Sequence, residues 1–267
     1  MDGFSFEPTG ADEGVAAAIR VLADKQRILV FTGAGISTES GIPDFRGPDG
    51  VWTRVDPAEF TLSRFLENPE TRRRSWQMRK ESGVLDAEPN GAHLALVALW
   101  ESGKMLAVVT QNIDGLHQRS GLPARAVVEL HGNAHQAICI ECRDKTPTTE
   151  VLERVANGEA DPACRQCGGI LKPDVVLFEE AMPVLAMSRA MHLAYDADAV
   201  ISIGSTLGVF PAAAVPMRAA ETGAALVIVN QGETELDDLA DVIVAGPAGE
   251  IVPALVAALT GSPPLGN

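Results

Sequence analysis

Short apolar runs, separated by stretches of helical pattern, restrict this chain to few folds. The runs are RILVFT (27–32), MLAVVT (105–110), AVVEL (126–130), DVVLF (174–178), DAVISIG (198–204), AALVIVN (224–230) and DVIVA (241–245). Several are continuous rather than alternating, as parallel strands covered on both faces require. Helical patterns fall at 11–24, 91–102, 184–195, 211–222 and 248–259. This order predicts an α/β fold, a Rossmann-like doubly wound parallel sheet. Ligands of such sheets sit beyond the C-terminal strand ends. Gly33, Gln111, His131, Gly204 and Asn230 each fall just after a run, so one shared site is expected there.

Two segments interrupt the pattern. Residues 44–88 are mixed, with Pro48, Pro57 and Pro69, and a helix is expected near 70–81. They read as a flexible cofactor loop and a second, helical insertion. Within them Arg72-Arg73-Arg74 is expected to be the solvated face of a helix. Residues 135–171 hold all four cysteines and form a small inserted zinc-binding module. The sheet domain then comprises 1–43, 89–134 and 172–267, with the tail GSPPLGN expected to fray.

The cysteines read Cys139-x-x-Cys142 and Cys164-x-x-Cys167. Two such knuckles at this separation point to a tetrahedral zinc site with four thiolate ligands. Each knuckle puts two thiolates on one tight turn, and Gly168-Gly169 lets the second turn close. With all four positions taken by cysteine, no place remains for water, so one structural Zn2+ per chain is expected. A disulfide is the weaker reading in a reducing compartment.

The formal net charge is -15. A chain of that sign repels nucleic acid at long range and suits basic partners such as lysine-rich segments. No apolar run reaches the roughly 18 to 20 residues that span a bilayer, and MDGFSFEPTGADEG lacks a basic start and an apolar core of a leader. No nucleic acid or membrane partner, a cytoplasmic location and a monomeric state are therefore expected.

Polar residues converge in the loops that follow the runs. Gly33-Ala34-Gly35 lets backbone approach a pyrophosphate and offers N–H donors to it. A dehydrogenase fingerprint needs a third glycine where Thr38 stands, and Pro43 blocks a long helix. Asp44-Phe45-Arg46 adds a ring and a cation that a phosphate loop does not need. Gln111-Asn112-Ile113-Asp114 supplies two amides and a carboxylate suited to a ribose and a carboxamide, or else an ordinary helix cap. His131 suits proton transfer near neutral pH, although a lone histidine is more often structural. Gly204-Ser205-Thr206, with Asn230-Gln231, is a small hydroxylated pair of loops of the kind that wraps adenosine.

Together, GAGISTESGIPDFRGPDGVW, TQNIDGLHQRSG, ELHG, the two CxxC pairs, KPDVVLFEE and GSTLGVFPA resemble, in order, the motifs of the sirtuins. These are NAD-dependent protein-lysine deacylases, and the resemblance runs from about Gly14 to Pro253. It implies a bacterial-type enzyme that breaks NAD at the glycosidic bond. The loop after the first strand would be a flap closing over NAD, with Phe45 screening the sugar from returning nicotinamide. His131 would be the general base on the ribose hydroxyls, and Asn112 would position ribose and a water. Asp114 and Ile113 would hold the carboxamide, Gln111 the ribose and Arg46 the phosphates. Gly33, Ala34, Gly35, Ser37, Asp44 and Trp52 would complete the near side of the NAD site. Gly204, Ser205, Thr206, Asn230, Gln231, Gly232 and Ala248 would line the adenosine side. An acyl-lysine protein or peptide would lie extended beside Val175, Val176 and Phe178, leaving as free lysine and O-acyl-ADP-ribose, with acetyl the expected acyl group.

The chain departs from the family in places. Glu179 replaces a glycine of the usual F-G-E, and either reshapes the peptide clamp and favours basic peptides or changes nothing. Gly-Ser-Thr stands for Gly-Thr-Ser with both hydroxyls kept. Trp76-Gln77-Met78-Arg79 sits where family members that remove succinyl or malonyl groups carry Tyr-x-x-Arg. Arg79 would then pair with an acyl carboxylate beside a Trp76 wall; otherwise the helix is simply amphipathic. Mono-ADP-ribosyl transfer in the same pocket is the rival activity.

Overall fold

The computed structural model describes residues 11–47 and 50–261. Residues 262–267 of the tail expected to fray, like the first ten residues, lie outside them. Six strands form the main sheet: β1 (Ile28–Thr32), β2 (Met105–Thr110), β3 (Val127–Glu129), then β7 (Ala199–Ile203), β8 (Ala225–Asn230) and β9 (Val242–Ala245). Their order is β3-β2-β1-β7-β8-β9, and all pairings are parallel. The order reverses between β1 and β7, which is where doubly wound sheets bind ligands.

Residues of β1 alternate between two buried faces. Ile28 and Val30 join a core with α1 (Ala11–Leu22), α4 (Gly91–Glu101) and α9 (Ala248–Thr260). Leu29 and Phe31 join the opposite core with α7 (Val184–Asp196) and α8 (Ala214–Glu221). All five β1 side chains are buried, which explains the continuous apolar run.

The run at 174–178 does not belong to this sheet, contrary to the expectation. The strand there is β6 (Leu171–Val175), antiparallel to β4 (Gly132–Cys139), which also pairs with β5 (Lys145–Pro147). Gly132 makes this crossing possible. It lies opposite Val175 at φ +81, and a Cβ there would collide with the Asp174 carbonyl. One further helix, α6 (Thr148–Ala156), packs on β4 in the cysteine module.

The 44–88 segment carries α2 (Leu62–Glu67) and α3 (Pro69–Glu81), the latter being the helix expected near 70–81. A short α5 (Leu116–Arg119) follows β2. Asn68 caps α3 by accepting from Glu70 N, with Pro69 opening the first turn. The basic run on α3 is not a wholly solvated face. Arg72 is buried and forks onto Asp161, while its Nη1 donates to the Phe65 and Leu66 carbonyls at 3.1 and 2.9 Å. Arg73 and Arg74 do lie outside, paired with Glu70 and Glu59. Trp76 is fully buried among Ala137, Cys139, Val151, Cys164 and Leu171, and so pins α3 to the cysteine module. This corrects its expected place as the wall of an acyl pocket. Among the described residues no helix is long and apolar enough to cross a membrane.

Candidate active site

The loops beyond β1, β2, β3 and β7 meet as expected. Gly33 N donates to Ile203 O and Gly35 N to Gly204 O at 3.0 and 2.8 Å. A Cβ on either glycine would come within 2.7 Å of Gly204 backbone, so both glycines serve this close passage. The chain then turns through a single 3-10 stretch, Ala34–Ser40, closed by Gly41 at φ +83. Asn90, which caps α4, donates from Nδ2 to Ile36 O at 2.8 Å and ties this turn to the helix.

Ser37 is buried at the centre of the site. Its Oγ donates to Asp114 Oδ2 at 2.8 Å and accepts from Asn112 Nδ2 at 3.1 Å. Asn112 Nδ2 also donates to Gly33 O, and Asp114 Oδ1 accepts from Leu116 N. Asp114 thus steadies the turn into α5, whose N-cap position is Gly115 with no side-chain cap bond, so neither Asn112 nor Asp114 is the ordinary helix N-cap that the sequence also allowed. Ile113 O accepts from Ala134 N at 2.7 Å, fixing the turn against β4.

His131 follows β3. Its Nδ1 lies 3.0 Å from Gln111 O, and a carbonyl only accepts, so Nδ1 carries the proton. The neutral ring then has its lone pair on Nε2. Burial pushes its pKa below the ordinary histidine value, against a smaller upward pull from the Gln111 carbonyl. Gln111 Nε2 donates to Ser205 Oγ at 2.8 Å, which links the β2 and β7 loops. Thr206 O accepts from Glu235 N, and Asn230 Nδ2 bonds Gly232 O, while Gln231 is exposed. Ala248 is buried as the first residue of α9.

Residues 44–47 and 50–62 gather around an aromatic cluster that reaches the chain after β6 at Phe178. Phe45 packs 5.1 Å from Trp52, which meets Phe60 edge-on at 5.1 Å and Phe178 at 6.0 Å. Asp44 holds its own turn by accepting from Gly47 N. Arg46 is exposed and makes no ion pair with a described residue. Backbone at 175–178 is mostly engaged. Val175 pairs with Gly132, Val176 N donates to His131 O, and Phe178 bonds Phe60 O and Leu62 N. Among the described residues the Val176 carbonyl and both backbone groups of Glu179 remain free.

Sequence reasoning missed a buried layer beneath the site. Thr32 Oγ1 bonds Thr110 Oγ1 at 2.8 Å and His117 Nε2 at 2.9 Å, and Thr110 Oγ1 accepts from Asn112 N. His117 packs 5.1 Å from His93, whose Nδ1 faces Asn90 Oδ1. Burial holds His93 down at about 4, partly offset by Asp114, and holds His117 well below the ordinary value with help from His93. The available signal was His93, a histidine in the otherwise apolar helical pattern GAHLALVALW; His117, in the polar stretch GLHQRSG, gave none.

The four cysteines form the second centre. Cys139 and Cys167 Sγ are 3.5 Å apart, Cys142 and Cys164 3.7 Å, and all four lie within 4.8 Å. Tetrahedral Zn–S bonds of about 2.3 Å need sulfurs at this spacing, whereas a disulfide would bring two to about 2 Å. Gly168 holds φ +77, the left-handed turn that lets the second knuckle close. Backbone N–H from Cys167 lowers the Cys164 thiol to about 7, while the Cys139, Cys142 and Cys167 thiols lie above the ordinary value in the metal-free cluster, so a metal must displace their protons to bind.

A Sir2 family model matches residues 33–211. The chain belongs to the Sir2 family. It is 43% identical over 240 residues to NAD-dependent protein deacetylase 2 of Streptomyces coelicolor, covering 89% of this chain and 100% of that one. A solved Sir2 enzyme superposes with a TM-score of 0.85 at 42% identity, covering 94% of this chain and 98% of that one. A Sir2 variant with deacetylated p53 peptide and 3'-O-acetyl-ADP-ribose gives 0.85 at 35% identity, over 94% and 99%. At that coverage the likeness to these sirtuins takes in both the six-strand sheet and the module that carries the four cysteines.

Proposed function

We propose that this sirtuin removes acyl groups, acetyl foremost, from protein lysine side chains in a reaction that consumes NAD and yields nicotinamide and O-acyl-ADP-ribose. The observation that carries this is the His131–Gln111 bond. It leaves Nε2 of a neutral, half-buried imidazole as a base at the mouth of the β2 and β3 strand ends. NAD-dependent acetyl loss from a peptide, read by mass spectrometry, tests it. Transfer of label from NAD to an unacylated protein would favour the ADP-ribosyltransferase reading instead.

The chain's own groups divide the work. His131 takes a proton from a ribose hydroxyl. Asn112, with both Nδ2 hydrogens spent on Gly33 and Ser37, offers Oδ1 to a ribose hydroxyl or a water. Asp114, fixed by Ser37 and Leu116 N, faces the carboxamide. Phe45 and Trp52 exclude water and returning nicotinamide. Arg46, with no ion-pair partner among the described residues, meets the phosphates. When bound, zinc supplies cross-linking of the cysteine module and no chemistry at the site.

Arg79 supports a second reading, removal of succinyl or malonyl groups. It has no ion pair among the described residues, its Nε is buried without a partner, and burial lowers its pKa to about 10. A guanidinium in that state gains by meeting a carboxylate. Arg79→Met should then abolish turnover of a succinyl-lysine peptide while sparing an acetyl-lysine peptide.

A further inference from the structure

The turn that carries Asp114 is held from two sides. On the inner side its carboxylate accepts from Ser37 Oγ and Leu116 N. On the outer side β4 supplies two donors. Ala134 N bonds the Ile113 carbonyl at 2.7 Å, a backbone contact that most residues there could make. His135 Nε2 lies 2.8 Å from the Asp114 carbonyl, and a carbonyl only accepts, so Nε2 carries a proton and donates it. Among the described residues no other group bonds the Asp114 backbone. The ring lies against Gly115, where the chain turns at φ +71 and a Cβ would stand 3.1 Å from His135 Cδ2 and Nε2. His135 is itself held, since its backbone N–H donates to Asn133 Oδ1 at 2.9 Å, while Asn133 Nδ2 and Gln118 Nε2 both donate to Glu129 Oε1. The half-buried ring lines a cavity of about 270 Å3 with Gln118, Arg119 and Gln136, so its replacement opens no void in a packed core.

We propose that His135 is a positioning residue that sets Asp114 against the carboxamide of NAD. The proposal rests on the deacylase function above. Carbonyl and carboxylate belong to one residue, so a peptide unit fixed by His135 leaves the Asp114 side chain little freedom beyond its bonds to Ser37 and Leu116. Without the His135 bond the carbonyl loses its partner and the turn can rotate. The effect falls on the nicotinamide end of the cofactor, because the rest of it is assigned to the loops after β1, β7 and β8. His135 therefore acts on the hold on intact NAD and on recapture of released nicotinamide, and not on peptide docking.

The test compares wild type with His135→Phe, His135→Asn and His135→Gln. Phe keeps a ring and cannot donate, Asn is too short to reach the carbonyl, and Gln brings an amide N–H to the reach of Nε2. The readouts are the nicotinamide concentration that halves deacetylation of an acetyl-lysine peptide, the KM values for NAD and peptide, and the calorimetric Kd for ADP-ribose, which lacks the carboxamide. In the Phe and Asn variants the nicotinamide concentration and the NAD KM should each rise about 3- to 10-fold, as loss of one hydrogen bond implies. Their peptide KM and ADP-ribose Kd should stay within about 2-fold, which also shows that they fold, and Gln should bring the nicotinamide value back to within about 2-fold of wild type. Unchanged nicotinamide and NAD values in the Phe and Asn variants, an equal loss of ADP-ribose binding, or no recovery in the Gln variant overturns the proposal. Wild type that binds ADP-ribose yet leaves the acetyl-lysine peptide intact overturns the deacylase function, and this proposal with it.

Discussion

His131 Nδ1 sits 3.0 Å from the Gln111 carbonyl, across the ends of two neighbouring strands. This one bond chooses the tautomer and leaves Nε2 basic. Because burial lowers the His131 pKa, the neutral form dominates at pH 7 and persists below the ordinary value near 6.5. The acid limb of kcat/KM should therefore lie below pH 6.5. A limb above 7 would contradict the assignment of His131 as a base.

The buried pair His93 and His117 should make stability pH-dependent. Both folded pKa values lie below the unfolded value, so the unfolded chain binds protons first as pH falls. Stability is fully present above about pH 6.5 and is lost between there and about pH 4. For His93 alone the loss at pH 5 is on the order of 2 kcal/mol. The melting temperature should drop by several degrees from pH 7 to pH 5, and His117→Phe should flatten that slope.

Removing zinc should unfold the cysteine module before the main sheet. The module's small core holds Trp76 from α3, so Trp fluorescence reports its loss. Cys164→Ser or a strong chelator should shift that signal and release the metal. Retained fluorescence and melting temperature after metal removal would count against a structural role.

Arg72→Ala should destabilise the helical insertion by about 2–4 kcal/mol, since it strands Asp161 and the carbonyls of Phe65 and Leu66. Arg73→Ala, at an exposed i,i+3 pair, should cost under about 1 kcal/mol. Urea titrations of the two variants compare them directly.

The parallel sheet was legible because each of its strands is locally consistent. β1 and β7 are buried on both faces and read as unbroken apolar runs. β4 was not, because its sequence, GNAHQAIC, is small and polar and owes its strand to pairing with distant β5 and β6. Lys172 shows why 174–178 was misplaced. A lysine reads as solvated, yet its Nζ is buried and donates to Pro173 O, Val175 O and Glu180, which sets the strand at Leu171–Val175 instead. Arg72 was misjudged for the same reason, its partner Asp161 being far off in sequence. In the site, the loop ends were visible from Gly33, Gln111 and His131, but the Ser37–Asp114 contact joins residues from two loops and has no local signature.

The central claim is tested most directly by mass spectrometry of an acetyl-lysine peptide, with and without NAD, using wild type and His131→Tyr. Wild type should remove the acetyl group only when NAD is present, and the variant should be slower by roughly 10²–10⁴-fold. Acetyl loss without NAD, or an equal rate in a folded, zinc-loaded variant, would contradict it.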